Sequence, residues 1–427
     1  MQKIIVLVLA YFFSQLSLIA QDAIIRCGTT EYMAGKSYGN TKVLENENQN
    51  QISGVIVIPV VVHVLYKGEP LGVGTNIPSA QIESQIDILN EDFRANNNDL
   101  SAVPNVFKPA IGDSKIQFCL ASINPDSNPS SGIVRKLTTN SFFTLDDKIK
   151  FDTAGGSNAW PADRYLNIWV GDLKDFGGGS SLLGYATFPG GPPENDGIVI
   201  LSSAFGNKGT VSPPYNRGRT VTHEVGHWLG LYHIWGDSQC GDDFCADTPP
   251  QEGPNYGINS GQGFQCPQFP KISALCGNAP EGDMYMNYMD YTYDKCLNMF
   301  TKIQCKRMNN ALENFRSSFF TNSICAPAPA EVDTAEVDFE IYPSLFLPGD
   351  ATNELNVLIV GELSTDIEVN IYNALGQLFF NEIYLKDEYA TQTKFIIDTS
   401  LMPGGGYFIR ISANKKDYVK RFVKSKQ

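Results

Sequence analysis

Residues His223-Glu224-Val225-Gly226-His227-Trp228-Leu229-Gly230-Leu231-Tyr232-His233 read as a helix that carries two imidazoles and stops at a glycine. His223 and His227 stand four apart, so a helix projects both rings from one face about one turn apart. Gly230 supplies the positive φ that ends the helix and turns the chain. His233 then returns as a third ligand. Three neutral nitrogens with one open position suit a catalytic zinc, whereas a structural zinc is normally closed by four protein ligands. Glu224, beside the two ligands, can act as general base on a water at the open position. The chain has four histidines and three fall in this stretch, so a chance match to a bare His-Glu-x-x-His spacing is a poor account.

Around this site the pattern is that of a mixed α+β domain. Val55 to Tyr66 is a β-branched run and reads as a buried strand; His63 within it is expected to be a hydrogen-bonded strand histidine, since three ligands are already supplied. Ser79 to Arg94 reads as an amphipathic helix with Ile82, Ile86, Leu89 and Phe93 on one face, capped by Ser79. Tyr165 to Val170 and Ile198 to Leu201 read as short strands, Val221 to Leu229 as the site helix, and Thr301 to Phe315 as a last helix. From Trp235 to Tyr291 the chain is rich in Gly, Asp, Asn and Pro and holds four of the nine cysteines, so its order needs disulfides or ions.

The chain has 427 residues, enough for two or three domains, and at 42% hydrophobic and 18% charged residues it is globular rather than disordered. A net charge of −14 argues against nucleic acid or an anionic membrane as the main partner. Residues 1–20 read as a secretory signal peptide: one lysine, an apolar run from Ile4 to Phe13, and Ala20 as the small residue at the cut. No other stretch is long and apolar enough to span a bilayer. Residues 21–52 form a polar pro-segment, 53–325 the metal-bearing domain, 326–337 a Pro/Ala/acid linker, and 338–427 a region with no Cys, His or Trp. That last region alternates short strands with turns and reads as a small β-sandwich. Export places the cysteines in an oxidising setting.

Trp228, Tyr232 and the block Asn287-Tyr288-Met289-Asp290-Tyr291, taken with the extended histidine motif, resemble the pappalysin family of metzincin metalloproteases, most closely its bacterial and archaeal, ulilysin-like branch. The resemblance spans roughly residues 26 to 316. It implies a twisted mixed sheet with an edge strand over the cleft, helices, and a loop-rich lower subdomain. Met289 would pack beneath the zinc without binding it, and Tyr291 would stabilise developing oxyanion charge. Asp294 matches the base of the pocket for the residue after the scissile bond, which implies cleavage before Arg or Lys. Family members carry calcium in the loop region, and Asp247, in Cys245-Ala246-Asp247-Thr248-Pro249, is the candidate ligand. The resemblance also implies the disulfides Cys245–Cys276 and Cys266–Cys296. Cys305–Cys325 is a local guess, which leaves Cys119 and Cys240 for each other.

Cys27 is then unpaired, in Arg26-Cys27-Gly28, which resembles the cysteine switch of metzincin zymogens: a thiolate would fill the open position on zinc. If the enzyme activates itself by cutting before Lys or Arg, the bonds before Lys36 and Lys42 are the candidates. A mature start near Ile52 would instead require another protease, because no Lys or Arg lies between Lys42 and Lys67. Residues 338–427 resemble the C-terminal sorting domain of the type IX secretion system. The expected function is a secreted zinc endopeptidase made as a zymogen, acting on protein or peptide substrates. The competing class is a secreted adhesin or binding module with a structural metal.

Overall fold

The computed structural model describes residues 24–36, 54–259, 263–321, 324–325, 338–346, 353–360, 365–384, 394–413 and 416–425. The expected signal peptide, the expected linker and Lys42 lie outside them. The expected pro-segment holds β1 (Ile24–Ile25) and α1 (Thr29–Met33). The central strand β2 (Ile56–Tyr66) is buried along nearly all its length, which is why it reads as an unbroken apolar run rather than an alternating one. It pairs in parallel with β3 (Ile116–Leu120) and β4 (Ile133–Leu137) along one edge and with β5 (Leu166–Gly171) along the other. β6 (Ser181–Leu182) pairs in parallel with β1. β7 (Gly184–Ala186) is the outer strand of the sheet and runs antiparallel to β8 (Ile198–Leu201), which itself lies parallel to β5.

Helix α2 (Ser79–Phe93) buries Ile82, Ile86, Leu89 and Phe93, as its periodicity requires. Ser79 makes no cap: Pro78 holds the N-cap position, and the Ser79 hydroxyl instead donates to Asp366 at 2.7 Å. Helix α3 (Arg219–Trp228) is buried throughout and packs against α2, β7 and β8. Asp92 of α2 ties these elements together. It pairs with Arg219, accepts from Thr222 at 2.6 Å, and accepts from the Tyr288 hydroxyl at 2.9 Å. After α3 comes a loop region with only β9 (Ile258–Asn259) and β10 (Phe264–Gln265), then α4 (Lys302–Phe315). Thr301 and Gln304 form a reciprocal capping box at the start of α4. His63 is the expected strand histidine: it is buried, stacked on Trp169, and hydrogen-bonded to Ser157 at 2.9 Å and Asn167 at 3.1 Å. Burial lowers it to about 4.

The disulfides correct the expected pairing. Cys240, not Cys245, joins Cys276, and Cys119, not Cys305, joins Cys325; Cys266 joins Cys296. Cys245 and Cys305 are buried free thiols. Sequence spacing could not separate Cys240 from Cys245, since either closes a loop of similar length onto Cys276 and the cost of closure changes slowly with length.

The C-terminal region has its own core, built on Phe339, Val357, Val369, Ile371, Ile409 and Phe422. Its strands are β11 (Asp338–Tyr342), β12 (Leu345–Phe346), β13 (Glu354–Val360), β14 (Ile367–Asn373), β15 (Leu378–Tyr384), β16 (Lys394–Asp398), β17 (Gly405–Ala413) and β18 (Lys416–Lys424). One sheet has the order β11-β13-β16 and the other β12-β18-β17-β14-β15. In the second sheet β17 alternates buried residues with more exposed ones, as a strand with one solvated face should.

Candidate active site

The three motif histidines are fully or almost fully buried. Each uses Nδ1 on the protein and leaves Nε2 free to face inward. His223 Nδ1 donates to the Tyr288 carbonyl and His227 Nδ1 to the Leu231 carbonyl, both at 2.7 Å. His233 Nδ1 donates to Asp237 at 2.5 Å. Nε2 of His227 lies 3.1 Å from that of His223 and 3.0 Å from that of His233. With Nδ1 carrying the proton, these inward atoms are lone pairs aimed at one another, and only a shared cation makes that arrangement favourable. Burial, and then the neighbouring histidines, push protonation of His227 down to about 3 and of His223 well below its ordinary range. Neutral imidazole nitrogens on a buried, tetrahedrally open set suit zinc.

Gly230 has φ of +85°, so the chain leaves α3 through a left-handed turn that returns His233 to the other two. Met289 lies directly beneath α3. A Cβ at Gly226 would come within 2.5 Å of the Met289 sulfur, so any larger residue at this fourth motif position would displace Met289. The Tyr291 hydroxyl is 3.0 Å from His233 Nε2, and its ring stands edge-on to His233 and Trp235.

Residues 26–30 occupy this site. Cys27 Sγ and the three histidine Nε2 atoms all lie within 4.8 Å of one another, and among the described residues this is the group of His, Cys, Asp or Glu side chains placed to hold a metal. The thiol is 3.6 Å from Glu224 Oε2, which also accepts from Thr29 at 2.9 Å. Burial, and then Glu224, raise the Cys27 thiol well above its usual value, so a thiolate here requires a cation beside it. Glu224 is buried and pushed up to about 8, again by burial, and its Oε1 has no hydrogen-bond partner among the described residues. Thr30 donates to Asp237 at 2.9 Å.

Asp294 is fully buried. Its Oδ2 accepts the backbone amides of Arg217 at 2.8 Å and Arg219 at 3.3 Å. Its Oδ1 is 3.4 Å from Arg26 Nη2. The Arg26 guanidinium also donates to Thr220 and lies 4.9 Å from the Tyr215 ring centroid. Burial raises the Asp294 carboxyl, and Arg26 opposes that rise. Asp247 is elsewhere: it accepts from the Thr301 hydroxyl at 2.6 Å and the Ile303 amide at 2.9 Å, so both of its oxygens serve the start of α4. Sequence reading missed the roles of Asp237, Thr29 and Thr30. Position relative to Cys27 could have flagged the two threonines, but Asp237 looks like any other loop acid.

A mixed sheet with β7 at the rim, an active-site helix, a glycine turn, three convergent histidines and a methionine beneath them define a metzincin-type metallopeptidase. Residues 151–313 match the family model described as Pregnancy-associated plasma protein-A, and residues 346–425 match the model of the secretion system C-terminal sorting domain. An extracellular metalloprotease of Arthroderma otae is 30% identical over 280 residues, covering 64% of this chain and 83% of that protein. Mature mirolysin of Tannerella forsythia in complex with a cleaved peptide is 45% identical with a TM-score of 0.57, covering 63% of this chain and 98% of that one. A mutant of Tannerella forsythia promirolysin is 41% identical with a TM-score of 0.60, covering 69% and 95%. The chain belongs to the pappalysin family, and it is a secreted metalloendopeptidase carrying a type IX sorting domain. The adhesin alternative is set aside. Among the described residues, no helix is long and apolar enough to cross a membrane.

Proposed function

We propose that this chain is the latent form of a zinc endopeptidase that cuts on the amino side of Arg and Lys. The observation that carries the specificity is Arg26 lying against buried Asp294. An isolated carboxylate in such a site is costly, and two backbone amides offset only part of that cost. A substrate guanidinium or ammonium supplies the missing charge, so neutral side chains are rejected by desolvation as well as by lost attraction.

His223, His227 and His233 would hold the zinc, which when bound supplies Lewis acidity and a water of lowered pKa. Glu224 takes a proton from the attacking water at a carboxylate oxygen and delivers it to the departing amine nitrogen. Tyr291 donates its hydroxyl proton in a hydrogen bond to the oxygen on which negative charge develops. Asp237 fixes the His233 tautomer through Nδ1.

Latency follows from what the pro-segment covers. Cys27 fills the open position, Thr29 occupies Glu224, and Arg26 fills the specificity pocket. Arg26 precedes the residue at the metal site, whereas a substrate arginine follows the scissile bond. The pro-segment therefore lies in the reverse sense and presents no bond for cleavage. Lys36 remains a candidate activation site, with Lys42 outside the described residues. Asp247, whose two oxygens also accept from the start of α4, would be the calcium ligand in this loop.

The test is cleavage of a peptide library by activated wild type and Asp294→Ala. Wild type should select Arg or Lys after the cut, and the variant should lose that preference. Retained selectivity in the variant would refute the pocket assignment.

A further inference from the structure

The pro-segment has a second buried anchor outside the catalytic cleft. Tyr32 of α1 is 3% exposed and packs among Leu145, Leu182, Trp169 and Tyr185. Its ring centroid is 4.7 Å from that of Tyr185. Its hydroxyl donates to Asp147 Oδ2 at 2.8 Å and accepts from Lys150 Nζ at 3.2 Å. Lys150 is itself fully buried, 2.9 Å from Asp147 Oδ1, and donates to Thr187 Oγ1 at 3.1 Å and the Asn195 carbonyl at 2.9 Å.

None of these partners belongs to the pro-segment. The catalytic domain builds the place, and Tyr32 only fills it. A buried ammonium-carboxylate pair is costly unless its remaining hydrogen bonds are made. The phenol oxygen makes one to each member. Phenylalanine there would leave Lys150 and Asp147 each one partner short, and alanine would also leave a void lined by apolar side chains. The apolar walls read the ring and the ion pair reads the hydroxyl.

The place lies on a route that a substrate can follow. Gly28 N donates to the Gly184 carbonyl, and Ala186 N donates to Thr29 Oγ1, so the segment crosses β7. A Cβ at Gly184 would face Glu224, and Tyr185, next along the strand, points to the opposite face, where Tyr32 sits. Residues after Cys27 thus leave the metal site on the side away from Asp294. A substrate with arginine at Asp294 sends the residues before its scissile bond the same way.

We propose that in the mature protease this pocket is a second specificity subsite, one that takes a substrate tyrosine several residues upstream of the scissile bond. Its direction rests on the arginine-pocket reading. The test uses the activated enzyme and synthetic peptides with one Arg after the cut and a single Tyr, Phe or Ala placed at each upstream position in turn. At one spacing the Tyr peptide should have kcat/KM about tenfold above Ala and clearly above Phe. Lys150→Met should bring the Tyr-to-Phe ratio close to one. Equal rates for all three residues at every spacing would overturn the proposal, and so would a Tyr-to-Phe ratio that survives in Lys150→Met. If that variant does not fold, the wild-type series still decides. A reference peptide with Ala in place of Arg keeps the two readings apart: its efficient cleavage would sink the arginine pocket, while the tyrosine series, indexed to the observed cut, reports on this pocket alone.

Discussion

Glu224 concentrates the chemistry of the molecule in one side chain. It is buried, one oxygen is held by Thr29 and Cys27, and the other has no partner among the described residues. Glu224→Ala should leave zinc content near one per chain, measured by elemental analysis, while kcat/KM falls at least about 10²-fold, the usual contribution of a positioned base. Proteolysis at the wild-type rate in a zinc-loaded variant would remove Glu224 from the mechanism. Tyr291 acts at a different moment. Tyr291→Phe should lower kcat by about tenfold or more with KM nearly unchanged, because its hydrogen bond strengthens only as charge develops. The histidines and Glu224 were readable from the chain because helix periodicity and motif spacing constrain them, whereas Met289 and Tyr291 were implied by the family resemblance. Asp237 was not, because its role depends on a loop folding back to His233.

At the level of elements, β2 and its histidine set a pH dependence. His63 is held neutral in the fold, at about 4 against an ordinary value of 6.5, with burial as the main cause. A folded value below the unfolded one means that stability is present above pH ~6.5 and is lost as pH falls toward 4. The loss amounts to about 3 kcal/mol at the low end. Replacing His63 with Asn should flatten the fall in denaturation midpoint between those limits relative to wild type; an identical slope in both proteins would show that His63 does not titrate there. Helix and strand positions were largely legible because their apolar patterns are strong. The cap of α2 was misread, since the Ser79 hydroxyl finds a partner in Asp366, far along the chain. The part Asp247 plays at the start of α4 was not legible for the same reason: an acid in a polar loop can serve a distant helix start as well as an ion.

Over the whole molecule, the apolar cluster around β2, α2 and α3 and the one in residues 338–427 share no residue. We expect a chain ending at 325 to keep the peptidase kcat/KM within about twofold after activation, as domains with separate cores should, and to lose secretion from the native host. A large loss of activity on truncation would mean that the C-terminal region takes part in catalysis.

By itself the sequence determined that three histidines and Glu224 share one local motif, which spacing makes legible, and the resemblance carried by that motif and by residues 338–427 implied the peptidase class and the secreted character. Only the tertiary structure decided which cysteines pair, that Arg26 meets Asp294, and that Tyr32 lies against Lys150 and Asp147. These contacts join residues far apart in the chain, and their partners are chosen by burial and by the need to satisfy buried charge, which no local pattern encodes.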